Sequence, residues 1–101
     1  MIDEIRKFDV ITGDLRVLVS AIKSEIEGTC GSFRAYRRKD TSFREWYLQI
    51  SISTGGWADN EELIDVLREN KFHFFYWYSS KRGGHHVYRI PMKRLKRKAK
   101  P

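Results

Sequence analysis

Between Asp14 and Glu27 apolar residues return every three or four positions, at Leu15, Leu18, Val19, Ile22 and Ile26. That spacing aligns them along one stripe of a helix, which Gly28 stops. The period then drops to two. In the segment Phe43 to Ser53, Trp46, Leu48, Ile50 and Ile52 alternate with Tyr47, Gln49, Ser51 and Ser53, as in a strand with one face in a core. A shorter extended segment, Ser32 to Arg38, precedes it, and "RKDTS" between them reads as a hairpin loop. Gly55 and Gly56 break the second strand. Asp59 or Asn60 then caps a helix that carries Glu61 and Glu62 in its first turn, turns Leu63, Val66 and Leu67 inward, and runs to about Asn70. Next come a strand from Phe72 to Ser79, a "KRGG" turn and a strand from His85 to Ile90, which Pro91 ends because it has no N–H to donate.

The order helix, hairpin, helix, hairpin describes two αββ units, with a short strand or helical turn ahead of them within Ile5 to Ile11. Neither unit covers its own apolar face. The expected fold is α+β, a four- or five-stranded, mostly antiparallel sheet with both helices on one side. Residues 1–92 form the domain and residues 93–101 a basic, disordered tail.

The last hairpin is aromatic on both faces. His73, Phe75, Trp77, His86, Tyr88 and Ile90 share one side; Phe72, Phe74, Tyr76, Tyr78, His85, Val87 and Arg89 share the other. Two helices cannot cover both, and Arg89 and His85 are costly to bury, so the second set is expected outside. The same reasoning turns Phe33, Ala35, Trp46, Leu48 and Ile50 inward in the first hairpin and leaves Arg34, Tyr36, Arg38, Tyr47 and Gln49 outward. Tyrosine and arginine on an open sheet is the combination with which single-stranded nucleic acid is held, rings stacking on bases and cations meeting phosphates. Alternatively, these aromatics bury one another or a partner in a homodimer.

Charge adds to this picture through its placement. The formal net charge is +7, but six of the 20 basic residues lie in "KRLKRKAK", residues 93–100, leaving the remainder of the chain near balance. Within that remainder "RAYRRKD" and "SSKRGGHHVYR" are basic and "ADNEELIDVLREN" is acidic, which favours an oriented encounter with a polyanion. A tail of this kind also serves solubility alone. Cys30 is the only cysteine, so an intrachain disulfide and a CxxC site are both excluded. No apolar run nears the roughly 18 residues of a membrane span. Met1 to Phe8 is charged where a signal peptide is apolar, so a soluble, cytoplasmic protein is expected.

In the turn, Gly83 and Gly84 permit close backbone approach, with Lys81 and Arg82 beside them to hold phosphate oxygens. His85 and His86 are adjacent on a strand and point to opposite faces, so they do not chelate one metal, and neither a metal nor a cofactor is expected. His85, outward, is the candidate for acid–base chemistry; His86 reads as a core histidine. The run "EELIDVLRENKFHFFYWYSSKRGGHHVYRIP", residues 61–91, resembles the helix and hairpin of the HicA-type mRNA interferases, which have a double-stranded-RNA-binding-like fold. The family's Gly, Ser and catalytic His fall on Gly83, Gly84 and His85, so its Ser is replaced. The resemblance implies a metal-independent ribonuclease with His85 as acid–base. It lacks the family's third strand and second helix after Pro91. The same stretch is similar to the "SGxxGxH" core of archaeo-eukaryotic primases, but Gln49 and Ser51 stand where a primase carries its Asp-x-Asp metal pair.

The sequence therefore points to a small protein that binds RNA or single-stranded DNA. Tyr36, Tyr47, Tyr76 and Tyr78 would stack on bases, and Arg34, Arg38, Lys81, Arg82, Arg89, Lys93, Arg94, Lys96 and Arg97 would hold the backbone. The rival class is a protein-interaction module or inhibitor, including a virus-encoded one, whose aromatic face docks on a host complex.

Overall fold

A computed structural model describes residues 2–28, 31–40, 45–55 and 58–96. The element order is α1 (Ile2–Lys7), α2 (Leu15–Glu27), β1 (Ser32–Asp40), β2 (Glu45–Ser53), α3 (Ala58–Glu69), α4 (Phe72–Tyr76), β3 (Trp77–Lys81), β4 (His85–Pro91) and α5 (Met92–Lys96). The fold is α+β, with two αββ units joined in a four-stranded antiparallel sheet of order β1-β2-β4-β3. The second strand of each hairpin lies at the centre, Ile50 opposite Tyr88, and the two first strands form the edges. The breaker Gly56, the loop residues Thr41 and Ser42, Phe43 at the expected start of the second strand, and residues 97–101 of the expected tail lie outside the described residues.

The stripe on α2 is buried as its spacing predicts: Leu15, Leu18, Ile22 and Ile26 are fully enclosed. Asp14 caps the helix, its carboxylate accepting the Arg16 N–H at 3.0 Å, and the Gly28 N–H closes the other end on the Ser24 carbonyl. On α3, Leu63, Ile64, Val66 and Leu67 are buried. That helix begins at Ala58, so Asp59 and Asn60 fall within its first turn rather than before it; their side chains lie outside the described residues. Both helices pack on the side of the sheet bearing Ile50, Ile52, Tyr88 and Ile90. Ile5 of α1 and Leu95 of α5 join the same core.

Three differences from the sequence expectation shape the molecule. First, Phe72–Tyr76 is not strand but a helical turn. The Asn70 carboxamide oxygen accepts the Phe72 N–H at 2.9 Å while its Nδ2 donates to the Ile5 carbonyl, and Lys71 takes a left-handed conformation with φ 71°. The chain is thus bent and tied to α1 before its aromatic residues can extend, a case of tertiary ties overriding strand propensity. The expected faces invert there: Phe72 is fully buried, whereas Phe75 and Trp77, expected inside, are about half exposed. Second, Trp46, also expected inside, is 53% exposed, because it lies opposite Lys39 near the hairpin end, away from the buried centre of the sheet. Third, helix begins where the tail was expected. Residues Met92–Lys96 form α5, anchored by buried Leu95.

The "KRGG" turn has Gly83 at φ 87° and Gly84 at φ 78°, the left-handed region that glycine enters without strain. It is fastened to the first unit. Thr54, fully buried after β2, donates its N–H to the Gly84 carbonyl at 2.8 Å, and its hydroxyl bonds the same carbonyl and Glu61 of α3.

Candidate functional site

The face of the sheet away from the helices carries five cross-strand rows, the last being Asp40 with Glu45 at the hairpin end. Ser32, Ser53, His85 and Lys81 form one; Arg34, Ser51, Val87 and Ser79 the next; Tyr36, Gln49 and Arg89 the third; Arg38, Tyr47 and Pro91 the fourth. The register shift between Trp77 and Ser79 supplies one extra residue, so Tyr78 and Ser79 both turn outward. All of the outward assignments expected for the first hairpin hold in this register, as do those of Tyr78, His85, Val87 and Arg89.

Arg89 organises the aromatic half. Its guanidinium carbon lies 3.5 Å from the centroid of the Tyr78 ring and 4.6 Å from that of Tyr47, while Nε donates to the Gln49 carboxamide oxygen at 3.3 Å. Gln49 in turn donates from Nε2 to the Tyr36 hydroxyl at 2.8 Å. Enclosed between Tyr36 and Arg89, Gln49 is buried although it faces outward. Cation–π contacts of this kind contribute about 0.5–1 kcal/mol at exposed sites, and here they hold both rings in place. Tyr36 and Tyr78 keep 43% and 52% of their surface exposed, so stacking area remains available.

The other half is polar. Ser32, Arg34, Tyr36, Ser51, Ser53 and His85 line an open depression of about 480 Å³ that contains hydroxyls, one guanidinium and one imidazole. Among the described residues no carboxylate lines it. The outward carboxylates of the face, Asp40 and Glu45, sit together at the far end beside Tyr47, with Glu45 paired to Lys93 at 3.5 Å. Lys81 and Arg82 are exposed at the hairpin tip.

The structure separates the expected site residues. Arg34, Tyr36, Arg38, Tyr47, Tyr78, Lys81, His85 and Arg89 share the open face. Tyr76 does not: it belongs to α4, half-buried against Phe72, with ring centroids 5.3 Å apart. Nor is Arg94 a free cation. Its Nη2 donates to the Val10 carbonyl at 2.6 Å and to that of Ile11 at 3.3 Å, while Nε donates to the Tyr76 hydroxyl. This clamp fastens α5 and α4 to the segment after α1. Arg94→Ala is expected to lower stability by about 1.5–3 kcal/mol, the range for hydrogen bonds to a charged donor, measured by urea unfolding, and to leave ligand binding on the sheet face unchanged. Lys96 lies on the helix side, lining a depression with Val19 of α2 and Leu48 of β2 rather than the open face, and Arg97 lies outside the described residues.

Sequence reasoning missed the polar network beneath β3. The Trp77 indole donates to the Ser80 hydroxyl at 2.7 Å, which lies 2.8 Å from His86 Nδ1, and His73 Nδ1 lies 2.8 Å from the Tyr88 hydroxyl. The signal was present in the strand parity of His86 and Tyr88, but the helical turn that brings His73 and Trp77 over them was not. Burial pushes the Tyr88 phenol above its ordinary range. His86 is held below the usual histidine value, chiefly by burial, with Arg68 and His85 adding to the effect and Glu61 opposing it; His73 is lowered by burial, then Arg68 and His86. Neutral in the folded state, these imidazoles favour the unfolded chain once it takes up protons. Stability present above about pH 6.5 is therefore lost as pH falls through the lowered range. A urea midpoint that drops between about pH 7.5 and 5, with a shallower drop in His86→Gln, is the expected result.

Among the described residues no carboxylate is hydrogen-bonded to the imidazole of the Ser80–His86 pair, and the buried His86 Nε2 is unpartnered there, so the third, orienting group of an activated nucleophile is missing from them. No cluster of three or more metal-ligating side chains occurs among the described residues. No described helix is long and apolar enough to cross a membrane. No family model, curated protein or solved structure matches the chain.

Proposed function

We propose that the protein binds single-stranded nucleic acid, RNA or DNA, across the open face of its sheet. The observation that supports this most is the pairing, on the sheet face away from the helices, of a tyrosine–arginine cluster, Tyr78, Arg89 and Tyr47, with a depression that holds Arg34 and His85 and no carboxylate among the described residues. Bases stack on the exposed rings, and phosphates meet Arg34, Lys81 and the serine hydroxyls at the other end. His85 contributes a phosphate contact rather than cleavage, because the group opposite it in the sheet is the Lys81 ammonium, which suits it to holding a phosphate beside the imidazole. Cleavage of labelled RNA in chelator by the wild type but not by His85→Ala would reverse that assignment and support a HicA-like ribonuclease.

The test is the salt dependence of oligonucleotide binding. Neutralising about six phosphates of a single strand gives a slope of log K against log salt near −4, at about −0.7 per phosphate. A slope near zero, or no binding in low salt, sinks the reading. That outcome would favour the protein-interaction class, which has its own supporting observation: Phe74 is 81% exposed, with Phe75, Trp77 and Ile11 about half exposed. Such an aromatic knuckle fits a docking anchor.

A further inference from the structure

On the opposite side from the sheet's open face, a second depression of about 410 Å³ lies between α2, the end of the sheet and α5. Its floor is apolar: Val19 from α2, Leu48 from β2, and Met92 and Leu95 from α5. Its rim is cationic, with Arg16, Lys23, Arg37 and Lys96, and no carboxylate lines it among the described residues. Arg16 is engaged by Asp14 at 2.9 Å. Lys23, Arg37 and Lys96 have no ion pair among the described residues.

We infer that this groove binds a small single-chain amphiphilic anion, an alkyl carboxylate, with its chain over Leu48 and Met92 and its acid group among Lys23, Arg37 and Lys96. The volume and the mainly apolar lining with a few charges fit a small-molecule site, roughly 300–1,000 Å³ in size. Methionine on the floor adapts to a flexible chain. The segment after Lys96 is Arg97, Lys98, Ala99, Lys100 and Pro101, which matches the rim in sign and so does not supply the anion. Among the described acids of α3, Glu62 and Glu69 pair with Arg6 and Asp65 with Arg68. The inference is independent of nucleic-acid binding, because the groove shares no residue with the open face.

The test titrates the full chain, below micellar concentrations and in low salt, with octanoate, decanoate and dodecanoate, following the methyl resonance of Met92, one of two methionines. Saturable shifts are expected, with affinity rising up to about fourfold per added methylene, the factor for full burial of each. Dodecyltrimethylammonium, with the same tail and opposite head, should bind at least tenfold more weakly. Arg37→Glu and Lys23→Glu should each weaken dodecanoate at least tenfold while keeping the wild-type thermal midpoint. Phe74→Ser, at an exposed ring that does not line the groove, should leave it unchanged. Equal binding of the cationic amphiphile, no dependence on chain length, or undiminished binding in both charge variants overturns the inference. A shift reproduced by octaglutamate, an anion without an alkyl chain, overturns it as well by reducing the site to a charge effect.

Discussion

Phe72→Ala lowers the free energy of unfolding by about 3–5 kcal/mol, whereas Phe74→Ala, two residues along the same short helix, changes it by no more than about 0.5 kcal/mol. The contrast follows from placement alone. Phe72 is fully enclosed, its ring 5.1 Å from that of Tyr88 and 5.3 Å from that of Tyr76, so truncation leaves a cavity at the junction of α4 and β4. Phe74 faces solvent. Since domains of this size are stable by only about 5–15 kcal/mol, the first variant stands close to the unfolding threshold. Urea unfolding of both variants measures the difference. Equal losses would mean that residues 72–76 are extended, as the sequence alone suggests, and not helical.

Loss of the two rings that flank Arg89 has the largest expected effect on binding. Each base stacked on an aromatic side chain contributes about 1–3 kcal/mol, so Tyr47→Ala and Tyr78→Ala should each weaken a single-stranded oligonucleotide by about fivefold to more than a hundredfold. Neither should alter the salt slope, because neither removes a charge. Arg89→Lys keeps the charge and loses the planar group between the rings, so its binding should fall with the slope retained. Fluorescence anisotropy at two or more salt concentrations separates these contributions. Tyrosine variants with wild-type affinity would remove stacking from the proposed function and leave only charge.

Much of this was legible in the chain. The stripe of Leu15, Leu18, Ile22 and Ile26 predicts α2 because a period of 3.6 admits only one buried face, and the alternation from Trp46 to Ser53 predicts which side of β2 meets the core. The outward set Arg34, Tyr36, Arg38 and Tyr47 follows from that parity. The failures begin where parity ceases to apply. Through "FHFFYW" every position is aromatic or histidine, so period carries no information, and the structure there depends on Asn70, whose side chain holds Phe72 and reaches Ile5, 65 positions away in sequence. Arg94 looked like part of a basic tail for a similar reason: composition reports charge, but the carbonyls of Val10 and Ile11 that receive it come from the far end of the chain. Leu95 was the one clue, an apolar residue among cations.

The strand order leaves β1 at an edge, the position at which a sheet's backbone donors and acceptors recruit another chain. Four of its nine residues, Arg34, Arg37, Arg38 and Lys39, are cationic and distributed over both faces. Any second copy aligning there meets its own charge, so the border defends itself against fibrous self-association. Because that defence is purely electrostatic, it weakens with added salt or with any polyanion bound along the border, and colloidal stability then depends on the counter-ions the protein carries.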